Sequence, residues 1–328
     1  MKEQINWGII APGRIARKFA HDLQLAEGAR LHAVASRSLE RARAFAGEFG
    51  AHHAYGSYEE MLDCPDLDVV YVASPHSGHL EHTLMCLEQK IPVLCEKPLA
   101  MSAGQARRMV EAARANGTFL MEAIWTRFIP AFEEALELLN GGIIGPLRTI
   151  RADFGFRAEF PPEHRVFNLA LGGGSLLDVG IYPVYLALQC WGRPETVKAV
   201  ASFGQSGADE SCAMLFGYGD GRLAILDSSI AVHTSTEAWI YGERGTMHLP
   251  ARFHHPTKIA VSYPDKPTEY FGHPYVGFGY YHEIMEVGAC LRAGERESRK
   301  LPLDFSLQLM ELMDEVRVQA GIDYQDIE

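Results

Sequence analysis

At 328 residues the chain is long for a single core, so two domains are expected, and with them a cleft. A hydrophobic fraction of 47% and a charged fraction of 22% are those of an ordinary globular protein and exclude disordered and fibrous architectures. The formal net charge of −12, with no run of lysines or arginines against it, excludes nucleic acid and anionic membrane surfaces as partners.

Residues 1–123 alternate short apolar runs with helical patterns. Strands are expected at residues 5–10, 31–35, 69–73, 93–95 and 119–121, and helices at 14–25, 39–49, 79–89 and 102–115. Asn116-Gly117 closes the last helix with a pair suited to a left-handed cap. Such alternation implies an α/β, doubly wound parallel sheet covered on both faces, in a dinucleotide-binding domain spanning 1–123.

The first strand runs into Gly8-Ile9-Ile10-Ala11-Pro12-Gly13-Arg14-Ile15-Ala16, which approximates the dinucleotide fingerprint with alanine at the first and third glycine positions. Ala11, Gly13, Arg14 and Ile15 are the candidate pyrophosphate cradle. Gly13 admits the phosphates and the helix from Arg14 aims free amides at them. Alone, such a turn is also compatible with no ligand. Its context strengthens it, because a second strand ends about 20 residues later at Ser36-Arg37-Ser38. An NAD site usually places an acid there for the ribose hydroxyls. Hydroxyls with Arg37 suit a 2′-phosphate instead, so NADP is the expected cofactor, with NAD second. Ser74, His76 and His79 follow the third expected strand, and a loop contact to cofactor competes there with helix capping or packing. Three histidines at positions 76, 79 and 82 drift round a helix rather than converging, so no metal is expected.

From residue 124 to 328 the grammar changes. A helix at 131–139 stops at Asn140-Gly141-Gly142, a strand follows at 147–154, and a second helix begins near Gly174-Ser175. Four or five strand-like runs then succeed one another between 197 and 261, without crossover helices, and helices at 280–291 and 305–320 close the chain. This half is expected to be an α+β domain with an open, largely antiparallel sheet for substrate binding and oligomerisation. Helices can cover one face of that sheet, so the other is expected to meet a second copy in a homodimer or larger homo-oligomer.

Six cysteines without a C-x-x-C pair read as buried thiols in a reducing compartment. No cleavable signal pattern precedes residues 5–10, and no segment is expected to reach the roughly 18 apolar residues of a membrane span. A cytoplasmic location is therefore expected.

Leu94-Cys95-Glu96-Lys97-Pro98-Leu99 lies at the carboxyl edge of the first sheet, where open α/β folds bind ligands. Together with Gly172-Gly173-Gly174-Ser175-Leu176-Leu177-Asp178-Val179-Gly180-Ile181-Tyr182, it resembles the glucose-fructose oxidoreductase, inositol dehydrogenase and MocA family over nearly the whole chain. Met121-Glu122-Ala123-Ile124-Trp125-Thr126-Arg127-Phe128 and the spacing from Asp178 to Tyr182 are most similar to its dihydrodiol and NADP-linked D-xylose dehydrogenase branch. Many relatives carry histidine where Tyr182 stands, which argues against an inositol dehydrogenase.

The resemblance implies an NADP-dependent oxidoreductase that moves a hydride at a C–OH or C=O centre of a sugar, sugar derivative or vicinal dihydrodiol. It makes Lys97 the catalytic lysine, with Glu96 beside it at the cofactor and a cis bond to Pro98. It also brings Trp125 and Arg127 toward the nicotinamide, Trp125 competing with a core-packing role, and adds Phe154 to the substrate pocket. The residues agree: a lysine beside a tyrosine favours phenolate, and Asp178 and Tyr182, four apart on a helix, share a face. Tyr182 is the expected acid/base, Lys97 its electrostatic partner and Asp178 the orienting group. A catalytically silent NADP sensor of the same fold, or a structural oligomerisation protein, are the rival readings. Lys97, Asp178 and Tyr182 together disfavour the sensor, which needs no proton-transfer group.

Overall fold

The computed structural model describes residues 3–159 and 165–324. The chain divides into two compact units, Met1–Phe128 with Val276–Leu307, and Ile129–Tyr275 with Gln308–Glu328. The single crossing expected between residues 123 and 124 is therefore incomplete. The chain comes back to the first unit near its end, a long-range return that local periodicity cannot encode.

The first unit runs β1 (Ile5–Ile10), α1 (Arg14–Leu25), β2 (Ala29–Ala35), α2 (Leu39–Phe49), β3 (His53–Tyr55), α3 (Tyr58–Leu62), β4 (Val69–Val72), α4 (His79–Glu88), β5 (Val93–Glu96), α5 (Ala103–Asn116) and β6 (Leu120–Ala123). Its strands form one parallel sheet in the order β3-β2-β1-β4-β5-β6. Every residue of β1 and β4 is buried, as strands covered on both faces must be. The strand order reverses between β1 and β4, the switch point at which doubly wound sheets bind nucleotides. β3 and α3 escape the sequence pattern because three and five residues are too few to show a period. α5 ends, as expected, at Gly117 in the left-handed region with φ 62°.

The second unit opens with α6 (Pro130–Asn140) and β7 (Leu147–Gly155). A π-helical turn at Leu176–Gly180 then leads into α7 (Ile181–Trp191). β8 (Thr196–Phe203), β9 (Asp209–Gly217), β10 (Leu223–Ser229), β11 (Ala238–Gly242), β12 (Thr246–Leu249), β13 (Ile259–Ser262) and β14 (Glu269–Phe271) complete an eight-stranded sheet in the order β14-β13-β12-β11-β7-β10-β9-β8. Its pairings are antiparallel except for β7 with β10. This exceeds the strand expected at 147–154 and the four or five expected between 197 and 261, and β12 and β14 are only four and three residues long. α8 (Tyr281–Ala293) belongs to the first unit, and the unit boundary falls inside α9 (Leu303–Ala320).

One expectation is overturned. The helical run Leu169–Trp191 is, by length and composition, apolar enough to cross a membrane. Of its most apolar window, 83% is buried inside the protein, and α7 packs on β7 and β10, so this run forms the core beneath the sheet. Of the six free cysteines, Cys64, Cys86, Cys95, Cys212 and Cys290 are buried and Cys190 is half-buried, in line with packed thiols.

Candidate active site

The nucleotide end is built on the turn between β1 and α1. Ala11 takes the left-handed region at φ 61°, donates its N–H to Ala35 O at 3.1 Å, and accepts from Gly13 N at 2.7 Å. No side chain caps α1 and no acid stands in its first turn, so its leading amides and positive end suit an anion. Gly13 and Arg14 are exposed and Ile15 half-buried. A Cβ on Gly13 would meet nothing nearer than Ala11 O at 3.8 Å, which leaves open space over the backbone where a phosphate can approach. Ala16, at the third glycine position, is fully buried, letting α1 sit close on the sheet. These residues fit a dinucleotide.

Beyond β2, Ser36 is buried and its N–H donates to Tyr55 O at 3.2 Å. Ser38 caps α2 by accepting from Arg41 N at 3.4 Å, so its hydroxyl is partly committed to the helix. Arg37 is exposed, with Tyr58 and His82 in its electrostatic surroundings, and Glu40 is exposed in the first turn of α2. The end of β2 thus presents a cation to solvent, while Ser36 is buried and Ser38 serves the helix cap.

The loop after β5 is fastened by buried polar groups. The Lys97–Pro98 bond is cis. Glu96 accepts from the Tyr71 hydroxyl and, through Oε2, from Lys97 N at 3.1 Å. Glu122 Oε1 accepts from Leu99 N at 2.7 Å. The fully buried His79 bridges Pro98 O at 2.8 Å and Ser74 O at 2.9 Å. Burial holds this imidazole down at about 4, outweighing the two carbonyls, which favour its cation. A neutral ring carries one N–H, so it donates to only one of these two carbonyls, and its complete burial between them fits packing against the loop. His76 is buried with its ring 5.7 Å from that of His79, and Ser74 Oγ bonds His82 Nδ1 at 2.9 Å.

Two acids here escaped the sequence reading. Glu122, fully buried in β6, is pushed up to about 7, first by burial. Glu283 of α8, also fully buried, lies far above the ordinary carboxylate range through burial and then the charges of Glu96 and Asp22. A lone acid inside the apolar run of residues 119–124 is a legible anomaly, since carboxylates are rarely buried without purpose. Trp125 is buried and stacks on Tyr280 at 4.8 Å and 7°, and Arg127 Nε donates to Lys300 O at 3.0 Å. Both are engaged by the returning segment of their own unit, which sequence alone did not bring to them.

In the second unit the glycine-rich motif is locked by Asp209. Its Oδ2 accepts from Leu176 N at 2.7 Å and Ser175 Oγ at 2.9 Å. Gly174 has φ 130°, and a Cβ there would sit 2.0 Å from Asp209 Oδ1, so only glycine fits. The π turn that follows carries Asp178, which is 7% exposed and pairs with Arg165 Nη2 at 2.9 Å. Such turns are frequent at functional sites. Tyr182, 5% exposed in the first turn of α7, packs its ring 5.5 Å from Phe154 and 4.8 Å from His254. Phe154 and His254 stack at 4.4 Å. His254 was not anticipated, because it reaches Tyr182 only through the fold of the sheet.

Residues 5–124 match a family model described as an oxidoreductase family with an NAD-binding Rossmann fold, and residues 132–248 match the GFO/IDH/MocA C-terminal domain. Over 333 residues the chain is 37% identical to trans-1,2-dihydrobenzene-1,2-diol dehydrogenase of Danio rerio, with 98% of each chain covered. The Homo sapiens enzyme of that name is 35% identical over 329 residues, again with 98% of each covered. A 3-ketoreductase from Actinomadura kijaniata, solved with NADP and TDP-benzene, has a TM-score of 0.87 at 27% identity, covering 97% of this chain and 98% of that one. An aldose-aldose oxidoreductase from Caulobacter crescentus complexed with glycerol shares the fold, with a TM-score of 0.88 at 24% identity over 97% of this chain and 98% of that one.

Proposed function

Because the chain belongs to the GFO/IDH/MocA oxidoreductase family, in which its relatives are dehydrogenases, we propose that it is an NADP-preferring enzyme acting on a vicinal dihydrodiol, sugar or sugar derivative. The bound nicotinamide supplies the hydride acceptor or donor. The observation that carries the reading is the fastening around Lys97. Glu96, Glu122 and His79 all spend buried hydrogen-bonding capacity on the backbone of residues 97–99, an arrangement that serves to position one ammonium.

In this proposal Lys97 holds the substrate oxygen and offsets by its charge the negative charge that develops there. Tyr182 moves the proton at that oxygen, its ring held in place by Phe154 and His254. Asp178, steadied by Arg165, orients the substrate. The preference for NADP rests on Arg37 at the end of β2, where an acid would repel a 2′-phosphate. Relatives of 35–38% identity that are named dihydrodiol dehydrogenases support a vicinal diol as the first substrate class to test.

The test is a screen of the purified chain with NADP⁺ and NAD⁺ against dihydrodiols, aldoses and inositols, following absorbance of the reduced cofactor. Turnover of a diol or aldose, with kcat/KM at least tenfold higher for NADP⁺, is the expected result. Equal efficiency with both cofactors contradicts the cofactor assignment, and turnover of inositols alone contradicts the substrate class.

A further inference from the structure

A second cluster of chemistry-bearing side chains lies in the first unit. His32 stands in β2, His53 opens β3, and Cys64 follows α3. Each offers one ligand atom, and these atoms all lie within 4.8 Å of one another. His32 pairs its Nε2 with Pro65 O at 2.9 Å, while its Nδ1 is buried with no hydrogen-bond partner in a side chain only 6% exposed. An imidazole that spends one nitrogen on a backbone carbonyl has its tautomer set, and the other nitrogen is left as a lone pair. Metal-binding histidines are oriented in this way.

From this convergence we propose that His32, His53 and Cys64 bind a zinc ion in a site separate from the catalytic one. Two imidazole nitrogens and a sulfur form the borderline-soft donor set that zinc takes in tetrahedral sites. Bond lengths of about 2.0–2.3 Å set the ligand atoms roughly 3.3–3.8 Å apart, so an inward shift of about an ångström closes the site. Water takes the fourth position. Binding releases the Cys64 thiol proton to solvent as the Zn–S bond forms. No electron moves.

The ion is a staple. It ties β2 to the short β3 and to the loop after α3, the segment whose Tyr55 carbonyl holds Ser36 at the end of β2. It acts by binding the folded state, so the first unit is expected to melt at higher temperature with zinc than with chelator.

The experiment strips the full-length chain with chelator, reloads it with Zn²⁺ or Co²⁺ alone, removes free metal, and measures metal per chain by elemental analysis. One zinc per chain is expected, falling below a fifth of that in Cys64→Ser and His53→Ala. The Co²⁺ form is expected to show tetrahedral visible bands with a thiolate charge-transfer band that Cys64→Ser abolishes. Retention of zinc by both variants at the parent level overturns the proposal, because the chain's other histidines then hold it. So does a Co²⁺ spectrum of the parent chain without thiolate charge transfer, a readout that needs no variant to fold. Reduced-cofactor fluorescence on the variants is expected to match the parent.

Discussion

Tyr182→Phe keeps the ring that Phe154 and His254 pack against and removes only the hydroxyl. Under the proposed chemistry it lowers kcat and kcat/KM together by about 10²–10⁴-fold, with cofactor affinity nearly unchanged by fluorescence titration. Lys97→Met is expected to lose a similar factor. The double variant should fall well short of the product of the two losses, since groups that act as a unit are not additive. Near-normal turnover of Tyr182→Phe, with chemistry rate-limiting, makes the tyrosine a packing residue. Glu122 offers a test of stability rather than rate. Burial raises its folded-state pKa to about 7 from the ordinary 4.5, so the folded protein binds this proton more tightly than the unfolded chain. The resulting stability is fully present below about 4.5, is lost as pH rises toward 7, and is constant above. Glu122→Gln is expected to flatten the melting profile across that window by up to roughly 3 kcal/mol, read as thermal midpoint against pH. An unchanged profile means another group carries the dependence.

The helical turn that carries Asp178 exists in its place because Asp209, from the start of β9, accepts from Leu176 N and Ser175 Oγ. Asp209→Ala orphans a buried amide and is expected to cost about 2–4 kcal/mol, measured by urea unfolding of the second unit's tyrosine and tryptophan signal. Gly174→Ala should cost more, since its φ of 130° and the 2.0 Å approach to Asp209 Oδ1 both exclude a side chain. If Asp209→Ala unfolds at the parent midpoint, the lock is not what holds the motif. The β2 end gives a prediction of cofactor choice: Arg37→Asp replaces an exposed cation with a repelling charge, so affinity for NADP should fall about 10–100-fold while NAD changes little. Equal losses for both cofactors make Arg37 a residue of general structure.

The eight-stranded sheet buries Cys212, Met214, Phe216, Ala224 and Leu226 on one side. On β8, β9, β10 and β11 it leaves Val200, Leu215, Leu223, Ile225 and Trp239 exposed, Val200 to 73%. Register sets Leu215 opposite Ile225, so the apolar groups form a patch rather than scattered points. We propose that a second copy of the chain covers this face. Sedimentation at micromolar concentration is expected to show a dimer or larger species, and Leu215→Glu with Ile225→Glu to give folded monomers. A monomeric parent chain contradicts the proposal.

Sequence alone determined the two grammars, the β1 turn, the E-K-P motif and the Asp178 to Tyr182 spacing. Each of these is local: a period, a cap or a short motif survives in a one-dimensional string. Tertiary structure decided what faces those residues. Asp209 reaches Leu176 from 33 residues away, and Leu99 leans on Glu122 from 23. Tyr280 arrives under Trp125 only because the chain returns to its first unit, and His32 meets His53 and Cys64 only because two elements too short to show a period bring them together. Burial, which lowers the pKa of His79 and raises that of Glu122, is a property of the packed whole. No window of sequence contains it.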